Sequence, residues 1–483
     1  MNINSKTFKD KIYACWVGKN IGGTMGTPYE GRREVLDVKG YVTKAGEVLP
    51  NDDLDIQLVW LDAITKLGPL GITPNSLGEI WLSYIVARWN EYGIGAVNMQ
   101  KGLFPPLSAD YDNSWANSNG AWIRTEIWAC LAPGSPQTAA KYAVADACID
   151  HGTQEGTSAA VFVAAMQSAA FVVKDVRKCI EIGLSYIPES SRMAKTVREI
   201  FNCFDSGMNA IDCRNYIQKL NADIGDGWFE APSNVGYALI GLLWGNGDFK
   251  KSMLTAINCG DDTDCTAGTV GATLGIMFGL QVIPEDWRVY IGDEIVTFTF
   301  NKTSNCYYLP RTCTELTRRV CEMTPYVLFA NRCDVTVTDN ENEASGESVG
   351  KMIERAKSFN EFLEPNSMTF DNNFLCATVS IEGKPEINPN ETVKIKLTVK
   401  NKFEIFDNHL YNLNLRWWLP DGFSVRGRKS LTVLNRNAHS NGKASLEFEI
   451  TAGDLVSPKN KCILEISADS RPTSLYIPII LLG

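Results

Sequence analysis

Histidine is scarce in this sequence, which has only three among 483 residues. A zinc centre built on several imidazoles is therefore not expected. Cysteine is more frequent, with 14 residues, but no two of them form a C-x-x-C pair. Scattered cysteines in a chain of this length favour reduced, buried thiols over a disulfide framework. A metal ion that binds here should then be a hard cation with oxygen ligands.

Long apolar runs and an excess of positive charge are also missing. No stretch of about 18 or more apolar residues occurs, so no membrane-spanning helix is expected. The first residues, MNINSKTFKDKIYACW, lack the apolar centre of a secretion signal. The net charge is −10, whereas proteins that bind nucleic acids carry basic patches. We therefore expect a cytoplasmic protein with no membrane or nucleic-acid partner, and the oligomeric state stays open.

Apolar residues at helical spacing run through residues 1–335 and are separated by turn signals such as Gly68-Pro69 and Pro133-Gly134. This pattern predicts an all-α domain. The predicted helices are Phe8–Trp16, Leu54–Leu67, Ser76–Trp89, Pro136–Ile149, Thr157–Val173, Ala194–Phe204, Asn234–Trp244 and Thr263–Phe278. No alternating strand pattern is evident in this part of the chain.

The rest of the chain has a different pattern. Residues 336–367 are predicted to form a linker with a bridging helix at Val349–Phe362, and residues 368–483 alternate apolar and polar side chains as strands do. Short strands at regular spacing favour an all-β sandwich. Trp418–Phe423 resembles immunoglobulin-like domains appended to carbohydrate-active enzymes. The clearest predicted strands are Ala377–Ile381, Val393–Val399, Leu413–Trp417, Ala444–Ile450 and Leu475–Leu482.

The densest chemical signal is the segment Asn258–Gly268, in which Asp261, Asp262 and Asp264 stand just before a helix of small residues. Helix capping explains one Asp at such a position. Three neighbouring carboxylates repel one another unless positive charge neutralises them. The cluster therefore favours a cation site over capping alone.

Glycines recur at a spacing of four in the helix that follows, at Gly271, Gly275 and Gly279. This spacing places them on one helix face. An interior glycine costs about 1 kcal/mol relative to alanine, so the repetition needs a reason. Close contact with another helix is the simplest reason, and it predicts a central helix.

A second acidic cluster, Asn51-Asp52-Asp53-Leu54-Asp55, precedes another predicted helix. Capping again explains one carboxylate and not three. Two such clusters, far apart in the sequence, could converge on one or two Mg²⁺ ions. In two-metal centres the ions lie about 3.5–4 Å apart.

Three further segments carry residues suited to a binding site. Gly22, Gly23 and Gly26 allow the backbone to approach a ligand closely, and they precede Glu30, which on its own is typical of a surface turn. An Asn-Gly-Ala sequence begins at residue 119. His151 is the only histidine of the helical domain, although a lone histidine near a helix start is usually structural.

The order of these motifs resembles the ADP-ribosylglycohydrolase superfamily, which includes the dinitrogenase-reductase-activating and ADP-ribosylarginine hydrolases. The resemblance spans roughly residues 10–300. Its elements are a glycine-rich helix with Pro-Tyr-Glu, then Asp-Asp, Asn-Gly-Ala-x-x-Arg, His and finally Gly-x-Asp-Thr-Asp. The last motif is the most diagnostic one. The resemblance implies an all-α orthogonal helical bundle for the first domain.

The resemblance also implies a set of metal ligands. The Thr-Asp-Asp motif of the family falls on Asn51-Asp52-Asp53, and its Asp-x-Asp-Thr/Ser motif falls on Asp262-Thr263-Asp264-Cys265. The implied cofactor is Mg²⁺, as one or two ions, with Mn²⁺ as an alternative. The ligand candidates are Asn51, Asp52, Asp53, Asp262, Asp264 and Thr266.

Catalytic and substrate-binding residues follow from the same comparison. Glu30, Asp53 and Asp262 are the catalytic candidates, and Glu30 acts as general acid/base or as an outer ligand. The loop that lines the family's substrate groove falls on Asn119, Gly120 and Ala121, and its cleft histidine falls on His151.

Two positions depart from the family pattern. Asn51 replaces a hydroxyl residue but keeps an oxygen that can coordinate, and Cys265 replaces a threonine or serine. A thiol is a poor ligand for Mg²⁺. Either Thr266 or Asp261 takes its place, or one metal position is weakened. The site could therefore hold a single metal ion, and the substrate could be a compound other than ADP-ribose.

The implied reaction is hydrolysis at an anomeric carbon, with Mg²⁺ holding vicinal sugar hydroxyls and an oxocarbenium-like centre at the reacting carbon. The leading substrate is an ADP-ribosyl N- or O-glycoside. The alternative is a carbohydrate or nucleoside glycosidase, which the appended sandwich and four tryptophans near the expected cleft loops favour, although a buried role for tryptophan is commoner. These are Trp115, Trp122, Trp128 and Trp228.

A third hypothesis is a non-catalytic binding protein that a metal stabilises. Retention of Asp52, Asp53, Asp262 and Asp264 at both motifs argues for an enzyme instead.

Overall fold

The computed structural model describes residues 1–225, 228–300, 308–340, 346–372, 374–402, 411–434, 436–437, 440–469 and 471–483. These residues form two compact units. The first comprises Met1–Tyr92 and Ser114–Phe362, and the second comprises Gly93–Asn113 and Leu363–Gly483. Among the described residues, no helix is both long and apolar enough to cross a membrane.

The first unit is helical, as the apolar spacing predicted. Helix α4 begins in it and continues into the second unit, to which α5 belongs. In chain order the described helices are α1 (Ser5–Gly26), α2 (Asp52–Leu67), α3 (Pro74–Tyr84), α4 (Asn90–Lys101), α5 (Leu107–Asp110), α6 (Glu126–Leu131), α7 (Pro136–Ala147), α8 (Glu155–Ala170), α9 (Val176–Ser185), α10 (Arg192–Asp205), α11 (Ala210–Leu220), α12 (Ala231–Gly245), α13 (Phe249–Ile257), α14 (Thr263–Phe278), α15 (Glu285–Ile291), α16 (Cys313–Ala330) and α17 (Gly346–Ala356).

The predicted helix Thr263–Phe278 is confirmed at both ends by α14. The predicted bridging helix corresponds to α17, which begins and ends earlier than expected. The first unit also contains a short parallel pair of strands, β1 (Asn2–Asn4) and β2 (Thr336–Thr338), where no strand was predicted. Strands of three residues are too short to show an alternating pattern.

Helices α1 and α14 pack backbone against backbone, as the glycine spacing predicted. A Cβ atom on Gly18 would lie 2.3 Å from the carbonyl oxygen of Gly271, and one on Gly22 would lie 2.3 Å from the amide nitrogen of Gly268. A Cβ on Gly26 would lie 2.4 Å from the amide nitrogen of Asp264. This contact brings the end of α1 against the first turn of α14.

The second unit is an antiparallel β region. One sheet has five strands in the order β3-β4-β5-β11-β7, and the other has four in the order β13-β12-β6-β8. All strands predicted from residue 368 onward fall within observed ones. The immunoglobulin-like arrangement stays a prediction. The strands are β3 (Ser367–Asp371), β4 (Leu375–Ile381), β5 (Thr392–Asn401), β6 (Tyr411–Trp418), β7 (Ser424–Arg426), β8 (Ser430–Val433), β9 (Arg436–Asn437), β10 (Ser440–Asn441), β11 (Lys443–Thr451), β12 (Lys459–Ala468) and β13 (Ser474–Leu482).

Both sheets contribute inward-facing residues to one hydrophobic core, and residues 93–113 belong to that core. Leu103 and Leu107 are buried in it together with Met368. The ring centroids of Phe104 and Phe370 lie 5.0 Å apart. The sequence-based boundaries of 1–335, 336–367 and 368–483 assign this insertion to the helical domain, and as domain limits they stay a prediction.

Candidate active site

The first acidic cluster lies at the start of α2, where the capping residue is not an aspartate. Asn51 is the N-cap, and its Oδ1 accepts a hydrogen bond of 2.8 Å from the amide of Asp53. Its Nδ2 donates to Asp264 Oδ2 at 3.3 Å. Asn51 therefore presents its side-chain N–H group to the carboxylates. Its Oδ1, which was expected to coordinate a metal ion, caps the start of α2 instead.

Each aspartate of this cluster has its own partner. Tyr92 donates its hydroxyl to Asp52 Oδ2 at 3.0 Å, and Asp53 forms an ion pair with Lys19 at 2.9 Å. Asp55 accepts hydrogen bonds from the backbone and hydroxyl of Thr299. Asp55 thus has a structural role, which leaves Asp52 and Asp53 at the cluster.

The second acidic cluster lies at the start of α14. Asp262 occupies the N-cap position but makes no side-chain capping bond, so capping does not explain its carboxylate. Its Oδ2 accepts from Asn119 Nδ2 at 2.6 Å. Asp261 turns the backbone with a φ of +66°, and its carboxylate accepts from Asn234 Nδ2 at 3.1 Å. Asp261 is therefore engaged in the loop.

The two clusters meet across α1. Carboxylate oxygens of Glu30, Asp262 and Asp264 lie within 4.8 Å of one another, and so do ligand atoms of Asp53, Asp264 and Cys265. The structure thus brings together the acidic residues that the sequence singled out on three separate elements. Thr266 is different, because its hydroxyl donates to the carbonyl of Thr263 in its own helix at 3.2 Å.

Burial and crowding of like charges together shift the pKa values of the carboxyl groups at this site. The Asp264 carboxylate, followed by burial, raises the pKa of Glu30 to about 9. Burial, followed by Asp264, raises the pKa of Asp52 to about 6, and burial with the same neighbour holds the pKa of Asp262 well above its usual range. Carboxylates so placed ionise together only when a cation joins them.

Two buried oxygens fit such a cation. Asp262 Oδ1 and Asp264 Oδ1 have no hydrogen-bond partner in the part of the chain that the structure describes. Buried polar atoms are almost always paired, so these two oxygens have unused acceptor capacity. Oxygen donors of this kind suit Mg²⁺ or Mn²⁺. The residues that could hold a metal ion are Glu30, Asp262 and Asp264.

A pocket opens over these carboxylates, with a volume of about 110 Å³. Asn119 and Gly120 line it, whereas Ala121 is fully buried beneath. A Cβ on Gly120 would lie 2.2 Å from Glu91 Oε1, which explains the glycine. The described lining residues are Glu30, Asp52, Trp89, Asn90, Glu91, Tyr92, Ser118, Asn119, Gly120, Ile123, Phe229, Asp262, Asp264 and Cys265.

His151 lies behind the pocket wall and is fully buried. Its Nε2 is 3.2 Å from Ser118 Oγ, and its Nδ1 is 2.8 Å from Asp150 Oδ1. The buried guanidinium of Arg124 donates two hydrogen bonds to Asp150, at 2.8 and 2.9 Å, and a third to Asp146 at 2.9 Å. This network holds the segment that carries Asn119, and it places His151 one side chain away from the pocket.

The sequence did not point to several residues of the site. Trp89, Tyr92 and Phe229 supply the aromatic surface of the pocket, whereas Trp122 and Trp128 are buried in the core. Trp122 and Trp128 were singled out only because they lie in or just after the motif that begins at Asn119. A position near a motif does not distinguish a residue of the pocket wall from a residue of the core.

Lys19 was also missed. It is buried, and it is the only charged residue in the stretch Ile12–Gly26 of helix α1, which is rich in apolar residues and glycine. A single lysine in such a stretch was a signal in itself, because buried ammonium groups need partners.

Comparisons with known proteins identify the family of the chain. Residues 4–313 match the family model for ADP-ribosylglycohydrolase. The chain is 22% identical over 302 residues to the ADP-ribosylarginine hydrolase Tri1 of Pseudomonas putida (strain GB-1), which covers 58% of this chain and 73% of that protein.

Two solved structures are also similar to parts of the chain. An ADP-ribosylglycohydrolase-related protein complex has a TM-score of 0.45 at 17% identity and covers 67% of this chain and 99% of its own. A FixG-related protein from Vibrio parahaemolyticus has a TM-score of 0.19 at 13% identity and covers 23% of this chain and 98% of its own. Because the family model matches more than half of the sequence, the chain belongs to the ADP-ribosylglycohydrolase family, a family of ADP-ribosyl hydrolases.

Proposed function

We propose that this chain is a hydrolase that depends on a divalent cation, Mg²⁺ or Mn²⁺, and cleaves a glycosidic bond at an anomeric carbon. The observation that carries the proposal is a pair of buried oxygens, one each from Asp262 and Asp264, that have no hydrogen-bond partner among the described residues and lie at a pocket that Glu30 also lines. Membership of a family of ADP-ribosyl hydrolases supports an ADP-ribosyl N- or O-glycoside as the leading substrate.

Asp262, Asp264 and Glu30 are the residues that would hold the cation. A divalent cation in such a place orients vicinal hydroxyls of a sugar and stabilises negative charge. Asn119 holds Asp262 Oδ2, so the second oxygen of that carboxylate stays directed at the site. Tyr92 does the same for Asp52. Hydrogen bonds from Asn119 and Tyr92 thus fix the carboxylates of Asp262 and Asp52 at the place where the sugar would bind.

Glu30 is the residue best placed to move a proton. It is exposed on the pocket side, whereas Asp262 and Asp264 are buried. One carboxylate oxygen of Glu30 removes a proton from the attacking water while the bond between the anomeric carbon and the leaving nitrogen or oxygen breaks. The leaving group departs with the electron pair and takes up the proton that Glu30 removed from the water, which regenerates the Glu30 carboxylate. General acid/base catalysis of this kind contributes about 10²–10⁴-fold.

The lining of the pocket also supports the second candidate, a glycosidase acting on simple sugars or nucleosides. Five of the described lining residues are acidic and none is basic, so the described wall offers a diphosphate no positively charged side chain. A volume of about 110 Å³ is well below the roughly 300–1,000 Å³ of a pocket for a drug-sized ligand. Such a cavity suits one sugar ring, with Trp89 as a stacking surface.

The β region has no assigned part in this chemistry. All described lining residues belong to the first unit. We propose that the second unit is an immunoglobulin-like accessory domain, supported by its antiparallel sheets and shared core.

Turnover measurements test the proposal. ADP-ribosyl-arginine, ADP-ribosyl-serine and aryl furanosides and pyranosides are assayed with Mg²⁺, with Mn²⁺ and with EDTA, beside Asp264→Asn as the inactive control. Cation-dependent turnover of ADP-ribosyl substrates alone selects the leading candidate, and turnover of simple glycosides alone selects the second. A chain that binds the cation but turns over none of these compounds would favour the binding-protein hypothesis instead.

A further inference from the structure

Lys19 places a positive charge inside the acidic centre. Its side chain is 1% exposed, and its Nζ lies 2.9 Å from Asp53 Oδ2 and 3.3 Å from Glu126 Oε1. The ammonium also donates to the carbonyl of Ile123 at 2.7 Å. Three short contacts fix the ammonium on one side of Asp53. A buried ammonium group needs partners, and the carboxylates of Asp53 and Glu126 supply them.

Each oxygen of Asp53 faces a group of the chain itself. Oδ2 forms an ion pair with Lys19 at 2.9 Å, although this contact lacks hydrogen-bond geometry, and Oδ1 accepts a hydrogen bond from the thiol of Cys265 at 3.2 Å. Sulfur is a poor ligand for a hard cation. The part of the centre around Asp53 is thus already neutralised by groups of the chain itself.

The other part of the centre is open. Asp262 Oδ1 and Asp264 Oδ1 have no hydrogen-bond partner among the described residues, and Glu30 lies with them within 4.8 Å. A second divalent cation beside Asp53 would face the Lys19 ammonium at short range, where like charges repel strongly in a buried site. The carboxylates of Asp262 and Asp264 thus have acceptor oxygens that a metal ion could use, whereas Asp53 already lies beside the positive charge of Lys19.

We infer that the centre binds one divalent cation, held by Glu30, Asp262 and Asp264, and that the Lys19 ammonium with the Cys265 thiol takes the place of a second ion. Asp53 is then a positioning residue that Lys19 holds in place. The inference rests on the proposed function only in that the centre must bind a cation at all. It goes beyond the family resemblance, which left one and two ions equally open.

The stoichiometry of Mn²⁺ binding to the full chain tests this without any activity assay. Calorimetry gives the number of sites, and the electron paramagnetic resonance spectrum distinguishes an isolated Mn²⁺ from a spin-coupled pair. We expect one ion per chain and an uncoupled spectrum. Two ions or a coupled spectrum overturn the inference and leave the proposed function intact, whereas no binding overturns both.

Three variants identify the group that excludes the second ion. Cys265→Thr supplies an oxygen ligand but keeps Lys19, and we expect it to bind one ion. The double variant Lys19→Met/Cys265→Thr removes the ammonium as well, and we expect it to bind two, with a coupled spectrum. Asp264→Asn should lower affinity for the single ion at least about 100-fold, more than the usual loss from an outer-shell change.

Two ions bound by Cys265→Thr alone would show that Lys19 excludes nothing and would overturn the inference. If the double variant does not fold, the counts for the wild type and for Cys265→Thr still decide it.

Discussion

Asn119 donates a hydrogen bond of 2.6 Å to Asp262 Oδ2 and joins two motifs that lie 143 positions apart in the sequence. The same side chain accepts from Trp122 Nε1 at 2.9 Å, so its amide group has a fixed orientation. Asn119 therefore sets the direction in which the free oxygen of Asp262 points. The loop that was expected to line a substrate groove also supports the acidic centre.

Asn119→Ala should therefore weaken cation binding. Outer-shell partners of a metal site contribute about 10–100-fold in affinity, and we expect a loss in that range by calorimetry with Mn²⁺. The matched control is Asn117→Ala in the same loop, whose side chain accepts from the Glu155 amide instead. An equal loss in both variants would mean that the loop as a whole, and not this hydrogen bond, supports the site.

Glu30→Gln tests the proton transfer. The substitution keeps the shape and one oxygen ligand but removes the titrating group, so the rate should fall about 10²–10⁴-fold. Cation affinity should change less than the rate. Both quantities are measured on the best substrate of the screen, with calorimetry alongside. Equal rates for the two proteins would remove Glu30 from the mechanism.

The sequence predicted which residues would meet but not how each one is used. Alternation and helical spacing located the helices and strands that were predicted, because each depends on local periodicity, whereas short elements such as β1 and β2 carry too little of it. The convergence of Asp52, Asp53, Asp262 and Asp264 followed from charge crowding and from the family resemblance. The roles within the cluster depend on packing across three helices, which periodicity does not contain.

Asn51 and Lys19 illustrate what was not predictable. The sequence made Asn51 a ligand candidate, yet its oxygen caps α2. The partner of Lys19 is on another element, at Asp53. Residues 93–113 were assigned to the helical domain because their neighbours are helical, and only the shared core around Leu103 and Leu107 assigns them to the second unit. Long-range pairing of this kind leaves no local pattern.

The contact between α1 and α14 should be intolerant of a single methyl group. Gly22→Ala places a Cβ 2.3 Å from the backbone of Gly268, and backbone atoms cannot give way as a side chain does. Overpacking of this kind costs about 1–3 kcal/mol, so the free energy of unfolding in urea should fall by that amount. Gly40→Ala is the control, since nothing lies within 4 Å of its added Cβ, and a similar loss there would contradict the argument.

Shortening the chain to residues 1–365 should expose apolar surface, although the acidic centre would remain. Leu103 and Leu107 are buried in a core with strands that begin at Ser367, and removal of the strands leaves both side chains without neighbours. We expect the shortened chain to aggregate. Leu103→Ser and Leu107→Ser together should restore solubility to it. In the full chain, Leu107→Ala should cost about 2–5 kcal/mol, measured by denaturant unfolding.

Cation binding by the soluble shortened chain would show that the centre forms without the β region. A shortened chain that stays soluble with both leucines intact would contradict the assignment of residues 93–113 to the second core.

The ion pair of Arg124 and Asp150 should make stability depend on pH at the acid end. Burial raises the pKa of Asp150, but Arg124 and then His151 outweigh it and lower the pKa from its usual 3.8 to about 2. A carboxylate whose pKa is lower in the folded chain stabilises the fold above its unfolded pKa. That contribution, about 2 kcal/mol at about 1.4 kcal/mol per pKa unit, is lost as the pH falls from about 4 to about 2.

Asp150→Asn isolates this effect. At pH 7 the variant leaves Arg124 buried with Asp146 as its remaining carboxylate, and breaking a buried pair costs about 3–5 kcal/mol. Because protonated Asp150 in the wild type resembles the amide, the stability difference between the two proteins should shrink by about 2 kcal/mol between pH 4 and pH 2. Urea unfolding of both proteins across that range measures it. A difference that stays constant with pH would mean that Asp150 acts through packing and not through its charge.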